Sequence, residues 1–409
     1  MSMESTRSSC LQMREYFLIF LVAAVVSYLL CVFARELASR LGAVAQVRDR
    51  DVHSIPIPYF GGVAMLGGLG AGVLLGYHLP FLSKAQSAVF HDSGVVLIAG
   101  AMICVVGVVD DLIELDALTK LGGQIVAAAF MVLNGVQFSS VSLPWVGQFV
   151  LDPTQAVLLT MLMVVGTVNA VNFVDGLDGL AAGVVLIGSV AFFLFAYRLA
   201  SINGETLALT PALLCAAMGG ACAGFLPHNF FPARIFMGDS GSMLLGLVLS
   251  GSALTLTGQF SVVQVSSGTS GLPLLATLIP ILLPAAILVV PLSDLVLAVV
   301  RRTRRGLPFY HPDKEHLHHR LLEIGHSQRR AVLIIWLWSG LIAFGAVVLS
   351  LYSGWMVWGV VLLVFVINVA LTFLLPRLES SALDGPPEIE PDSQSTLTSD
   401  GTQQERSIS

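Results

Sequence analysis

Long apolar runs separated by short polar stretches repeat along this chain from about residue 16 to about residue 375. A helix needs ~20 apolar residues to cross a hydrocarbon core ~30 Å thick. Eleven runs reach or approach that length, at about 16–34, 60–77, 93–109, 122–138, 155–171, 180–197, 210–226, 241–257, 276–300, 331–350 and 354–375. The pattern predicts an all-α, polytopic integral membrane protein with about 11 transmembrane helices. The first run follows a polar stretch carrying Arg7 and Arg14 and is too long for a signal-peptide core. It is expected to remain as an uncleaved anchor.

Composition agrees: 56% of residues are hydrophobic and 11% charged, whereas soluble domains carry roughly a quarter charged residues. The five cysteines, Cys10, Cys31, Cys104, Cys215 and Cys222, lie mostly within the runs and show no metal-ligand or disulfide spacing. From about Ser380 the chain turns to Ser, Asp, Glu, Pro, Gln and Thr. Residues 1–378 are therefore expected to form the membrane domain and 379–409 a disordered tail.

Basic residues sort loops between the two membrane faces. With the N-terminus outside, the loops at 35–59, 110–121, 172–179, 227–240 and 301–330, together with the C-terminal tail, are cytoplasmic. That face then holds 16 of the 20 Lys and Arg residues. The same loops hold the stretches rich in Asp, Asn and His. One face is built to bind something charged.

The segment Asn169-Ala-Val-Asn172-Phe-Val-Asp175-Gly-Leu-Asp178 spaces two amides and two carboxylates three residues apart. Such groups at membrane depth are costly and imply a function. On an α-helix a step of three is ~300°, so Asn169 and Asp178 point roughly opposite ways. Gly176 and Gly179 suggest that the helix ends there, leaving Asn169 and Asn172 on the fifth span and Asp175 and Asp178 in the turn.

Four other segments join it. Arg50 and His53 precede Pro56, Pro58 and the pair Gly61-Gly62; they are suited either to a phosphate or to positive-inside anchoring. Asp110 and Asp111 adjoin the third span, with Lys120 beyond. Adjacent carboxylates require a metal, a cation or a shared proton, unless they merely end a solvated helix. Around Gly238-Asp239-Ser240-Gly241-Ser242, small residues at a helix start bring backbone N–H groups within reach of an anion. Ser240 lacks the strand-turn-helix context of a hydrolase nucleophile. Arg301, Arg302, Arg304 and Arg305 read mainly as an orientation signal. His311, His316, His318 and His319, with Arg320, suit an anion-binding loop better than zinc, because no thiolate accompanies them.

Taken together, Asp110-Asp111, Asn169-x-x-Asn172-x-x-Asp175-Gly-Leu-Asp178-Gly, Phe236-Met-Gly-Asp239-Ser-Gly and His316-x-His318-His319-Arg320 resemble the polyprenyl-phosphate N-acetylhexosamine-1-phosphate transferase family. The His-x-His-His form looks like the N-acetylglucosaminyl branch. The wording Arg-Asp-Arg-Asp-Val-His looks most like actinobacterial members that use decaprenyl phosphate to begin the arabinogalactan linkage unit. Asp51 is a departure, since many relatives carry lysine there.

The resemblance implies transfer of N-acetylglucosamine-1-phosphate from UDP-N-acetylglucosamine to polyprenyl phosphate (decaprenyl or undecaprenyl), releasing UMP, with Mg²⁺ or Mn²⁺. It implies metal contacts for Asn172 and Asp239. It implies substrate contacts for Arg50, His53, Lys120, Asn169, Asp178, Asn229, Phe236 and Arg320, and catalytic roles for Asp110, Asp111, Asp175, His316, His318 and His319. The implied setting is the plasma membrane, with the site facing the cytoplasm and no nucleic-acid partner; a homodimer is left open. The rival reading is a secondary transporter, which places its site near the bilayer midplane and shows internal repeats. No repeated hydropathy unit is evident here.

Overall fold

The computed structural model describes residues 3–45, 56–84, 87–143, 147–203, 208–257, 303–304, 306, 326–352 and 354–383. Within them lie ten α-helices: α1 (Met3–Leu41), α2 (Gly61–Gly76), α3 (Ser87–Ile113), α4 (Ala117–Leu133), α5 (Pro153–Val174), α6 (Leu180–Asn203), α7 (Leu209–Asn229), α8 (Gly238–Thr257), α9 (Gln328–Leu351) and α10 (Trp355–Leu383). Each falls on one of the apolar runs. The remaining run, 276–300, lies outside the described residues, as does the tail from residue 384. Eight of the ten are long and apolar enough to cross a membrane, while α2 and α4 are shorter. The chain is a polytopic, all-α membrane protein.

Helix boundaries follow local chemistry. Asp116 caps α4, its carboxylate accepting hydrogen bonds from the Leu118 and Thr119 N–H groups; such caps satisfy amides that a helix start leaves unpaired. α5 begins with a capping box between Asp152 and Gln155 and with a proline in its first turn. It ends where the glycines suggested, with Asp175 at its C-terminus and Gly179 at φ +76° before α6.

The connection between α4 and α5 departs from a plain loop. It forms a hairpin of β1 (Ser140–Leu143) and β2 (Gly147–Val150) that pairs Val141 with Phe149. Alternation over so few residues is too short a signal to separate from a turn. At that end of the bundle the Glu15 carboxylate accepts from the Phe81 and Leu82 amides at 2.7 and 3.1 Å, pinning the α2–α3 connection to α1.

α7 and α8 form the centre, with 89% and 94% of their apolar windows buried, against 11% for α10. α1, α2 and α6 surround α7, and α3 and α5 clasp α8. α4 sits at the periphery on α3 and α5, with Leu118, Val126 and Leu133 exposed. In lipid such faces cost nothing, so packing and internal polar bonds decide where a helix sits.

Candidate active site

The described polar motifs meet at one end of the bundle, where the C-terminal ends of α3, α5 and α7 approach the N-terminal ends of α2, α4 and α8. Close backbone contact brings them together. The Gly61 and Gly62 amides donate to the Phe236 and Met237 carbonyls at 3.0 and 3.1 Å. A methyl group at Gly62 would strike the Gly241 backbone, and one at Gly107 would strike that of Ser240. Gly238 takes φ +69° directly against the Asp111 carboxylate, a conformation that L side chains rarely adopt.

This approach gives the start of α8 an internal anion. Asp111 accepts from the backbone N–H of Asp239 at 2.8 Å and of Ser240 at 3.4 Å. The helix start read from the sequence as an anion site thus holds a carboxylate of the chain itself, a favourable charge for a helix N-terminus. The Ser240 side chain is fully buried, with its hydroxyl 3.4 Å from the Met237 carbonyl. It is packed as a helix-start residue, not presented as a nucleophile.

With α8 capped in this way, Asp239 projects into a polar cluster. Lys120 Nζ lies 2.9 Å from Asp239 Oδ2 and 2.6 Å from Asp110 Oδ2. Asn172 Nδ2 donates to Asp239 Oδ1 and to Ser242 Oγ, both at 2.9 Å. The other Asp110 oxygen accepts from the Leu115 amide at 2.7 Å. The Lys120 and Asp239 side chains keep 31% and 26% exposure, whereas Asp110 keeps 8%. The cluster is closed on the Asp110 side and open on the Lys120 side.

Oxygens of Asp110, Asp111 and Asp239 all lie within 4.8 Å of one another, a group able to hold a metal ion. Three carboxylates face one ammonium, so negative charge is in excess. Lys120 already bridges two of them, in the manner of a cation shared between carboxylates. An all-oxygen donor set fits a hard divalent cation. Asp175 feels the same field: burial, then the charges of Asp239, Asp111 and Asp178, push its carboxyl up to about 8.

Asp178 and Asn229 are brought together, but on backbone. Asp178 Oδ2 accepts from the Ala233 amide at 2.9 Å. Asn229 accepts from the Gly179 amide at 2.9 Å and donates to the Ile235 carbonyl at 3.0 Å. These bonds tie the 175–179 turn to the α7–α8 connection. The Phe236 ring sits 6.0 Å from that of Tyr59, beside the same connection.

Asn169 points away from the carboxylates. It forms a reciprocal amide pair with Gln124 on α4, with Asn169 Nδ2 to Gln124 Oε1 at 2.7 Å and Gln124 Nε2 to Asn169 Oδ1 at 3.3 Å. Sequence reasoning assigned no role to Gln124, and to Ser242 only a place among the small residues of the helix start. A lone amide one helical turn beyond Lys120 in an otherwise apolar run was the available signal. Arg50 and His53, like His316, His318, His319 and Arg320, lie outside the described residues.

The model of glycosyl transferase family 4 matches residues 93–257, the stretch from α3 to the end of α8. The chain is 46% identical over 84% of its length to a decaprenyl-phosphate N-acetylglucosaminephosphotransferase of Mycobacterium tuberculosis (strain ATCC 25618 / H37Rv), covering 84% of that protein. It is 33% identical over 82% of its length to a probable undecaprenyl-phosphate N-acetylglucosaminyl 1-phosphate transferase of Bacillus subtilis (strain 168), covering 86% of it. A phospho-N-acetylmuramoyl-pentapeptide-transferase of Mycobacterium tuberculosis (strain ATCC 25177 / H37Ra) is 32% identical over 84% of the chain and is matched over 99% of its own length. The carboxylate cluster of α3 and α8, the amides of α5 and the extent of these matches coincide, and the chain belongs to glycosyl transferase family 4.

Proposed function

We propose that the protein transfers N-acetylglucosamine-1-phosphate from UDP-N-acetylglucosamine to a polyprenyl phosphate, decaprenyl or undecaprenyl, releasing UMP. An oxygen of the lipid phosphate attacks the sugar-bearing phosphorus of the donor. A new diphosphate bond forms, the bond to the bridging oxygen breaks, and UMP leaves with that oxygen. Phosphoryl transfer depends chiefly on positioning and charge neutralisation. The observation that carries the reading is the junction of Lys120, Asp110, Asn172 and Asp239 within hydrogen-bond reach. The identity to the N-acetylglucosamine-phosphate transferases supports the choice of sugar.

Asp239, with Asn172 beside it, would hold Mg²⁺ or Mn²⁺, and the ion would supply charge neutralisation on the diphosphate. Lys120 exchanges its carboxylate contacts for phosphate oxygens when substrate enters, since an ammonium is mobile and reorients its donors. Asp110 faces the lipid phosphate. That acceptor has a second pKa near ~6, so it is mostly dianionic at neutral pH and needs no strong base. Asp111 acts through its cap on α8, keeping Asp239 aimed. Asp178, Asn229 and Phe236 line the nucleotide side, and Asp175 acts from the turn. Arg50, His53, His316, His318, His319 and Arg320 complete the phosphate and sugar contacts.

The arrangement is that of 11 spans with the N-terminus outside and the tail and catalytic end in the cytoplasm of a plasma membrane. Gathering of the described charged residues of the site at helix ends on one side of the bundle speaks against the transporter. The test is an assay of purified protein with polyprenyl phosphate, Mg²⁺ and a panel of UDP-sugars. UMP release that requires both lipid and UDP-N-acetylglucosamine is expected. Absence of release with every donor, accompanied by solute counterflow in liposomes, would instead establish the transporter.

A further inference from the structure

We infer that Gln124 is a positioning residue, whose amide pair with Asn169 sets the register between the helix that carries Lys120 and the helix that carries Asn172. The inference rests on the catalytic reading of the Lys120, Asn172 and Asp239 junction. Gln124 lies one turn along α4 from Lys120, and residues four apart share a helix face. Asn169 lies three residues before Asn172 on α5, again on a neighbouring position. The pair therefore joins α4 and α5 one turn deeper in the bundle than the point where Lys120 and Asn172 meet Asp239.

The pair is nearly fully satisfied. Asn169 Nδ2 also donates to the Val165 carbonyl at 2.8 Å, and Gln124 Nε2 reaches Met243 Sδ of α8 at 3.7 Å. Gln124 is 3% exposed and Met243 1%. A buried, satisfied side-chain network fixes one arrangement, while loss of one member leaves the other without partners.

Gln124 is the buried side chain of α4 that forms a directional bond to α5. The helix's remaining buried side chains are Ala127, Ala128 and Met131, which pack without directional preference. Its outer residues face lipid, where apolar contact gives no register. A rotation of α4 by one position would carry Lys120 off Asp239 and part Gln124 from Asn169. The amide pair excludes that rotation.

The test compares Gln124→Leu, Asn169→Leu and the exchanged double variant Gln124→Asn/Asn169→Gln in full-length protein. Turnover, KM for each substrate, melting temperature and the acylation rate of Lys120, followed by mass spectrometry, are the readouts. Supporting metal ligands from behind typically matters 10–100-fold. A fall in kcat of that size is expected in the Leu variants, with KM for the phosphate substrates raised by up to about tenfold as Lys120 leaves its place, Lys120 acylated several times faster, and part of kcat restored in the exchanged pair. Unchanged Lys120 acylation in Gln124→Leu, or a kcat lost only in proportion to unfolded protein, overturns the proposal. Lys120 acylation needs no turnover. If the parent protein releases no UMP, the catalytic reading fails, while the register claim is still judged by acylation alone.

Discussion

Gly107→Ala isolates the geometry of the site from its chemistry. The added methyl would lie 2.6 Å from the Asp239 carbonyl carbon, and closer still to the Ser240 N and Cα, where ordinary contact begins at 3.4 Å. These are backbone atoms of the first turn of α8, so no side chain can rotate away. The start of α8 must retreat by about 1 Å to restore van der Waals distance. Overpacking of this kind costs about 1–3 kcal/mol. The gain in helix propensity from Gly to Ala returns about 1 kcal/mol. The net change in stability is therefore small, and the variant should fold.

Activity should respond quite differently. The displaced turn carries Asp239, and its two capping amides rest on Asp111. A misplacement of ~1 Å costs on the order of 10²-fold in rate. Gly122→Ala is the control, because its methyl would meet nothing within 4 Å. Both proteins would be purified, melted and assayed for UMP release. Gly107→Ala should melt within a few degrees of the parent and lose about 99% of its turnover, with Gly122→Ala within about threefold. A folded Gly107→Ala protein with parental turnover would refute the claim that this crossing aims Asp239.

Other consequences follow from the same cluster. Asp239→Ala should abolish UMP release at every Mg²⁺ concentration, and full activity at limiting Mg²⁺ would remove Asp239 from the metal site. Lys120→Met makes the cluster more negative, so the Mg²⁺ needed for half-activation should fall while KM for the phosphate substrates rises about tenfold, ~1.4 kcal/mol; a Mg²⁺ titration at several substrate concentrations reads both. Asp175, pushed up to about 8 in the folded protein, makes folding costlier as pH rises from its ordinary value near ~4. The penalty is absent below that value and complete above about 8. The stability advantage of metal-free Asp175→Asn over the parent should therefore grow between about pH 5 and 8 in thermal melts, and a pH-independent difference would contradict it.

The amino-acid sequence by itself determined which segments are helical and where several of them stop. Hydrocarbon thickness sets the length of an apolar run, and Gly176 and Gly179 mark the break after α5, so both signals are local. It also singled out Asp110, Asp111, Asn172 and Asp239, which the structure brings together, since carboxylates and amides beside lipid are too costly to be incidental. What it left open were pairings between distant segments. That Asp111 caps α8, that Lys120 bridges Asp110 and Asp239, and that Asn169 turns to Gln124 depend on how closely α2, α3, α4, α5 and α8 approach. Those distances are set by glycine contacts such as Gly62 on Gly241 and Gly107 on Ser240. A hydropathy pattern records how apolar a helix face is, but lipid and protein interior satisfy that face equally. Only tertiary packing decides which helices touch, and so which of the polar side chains meet.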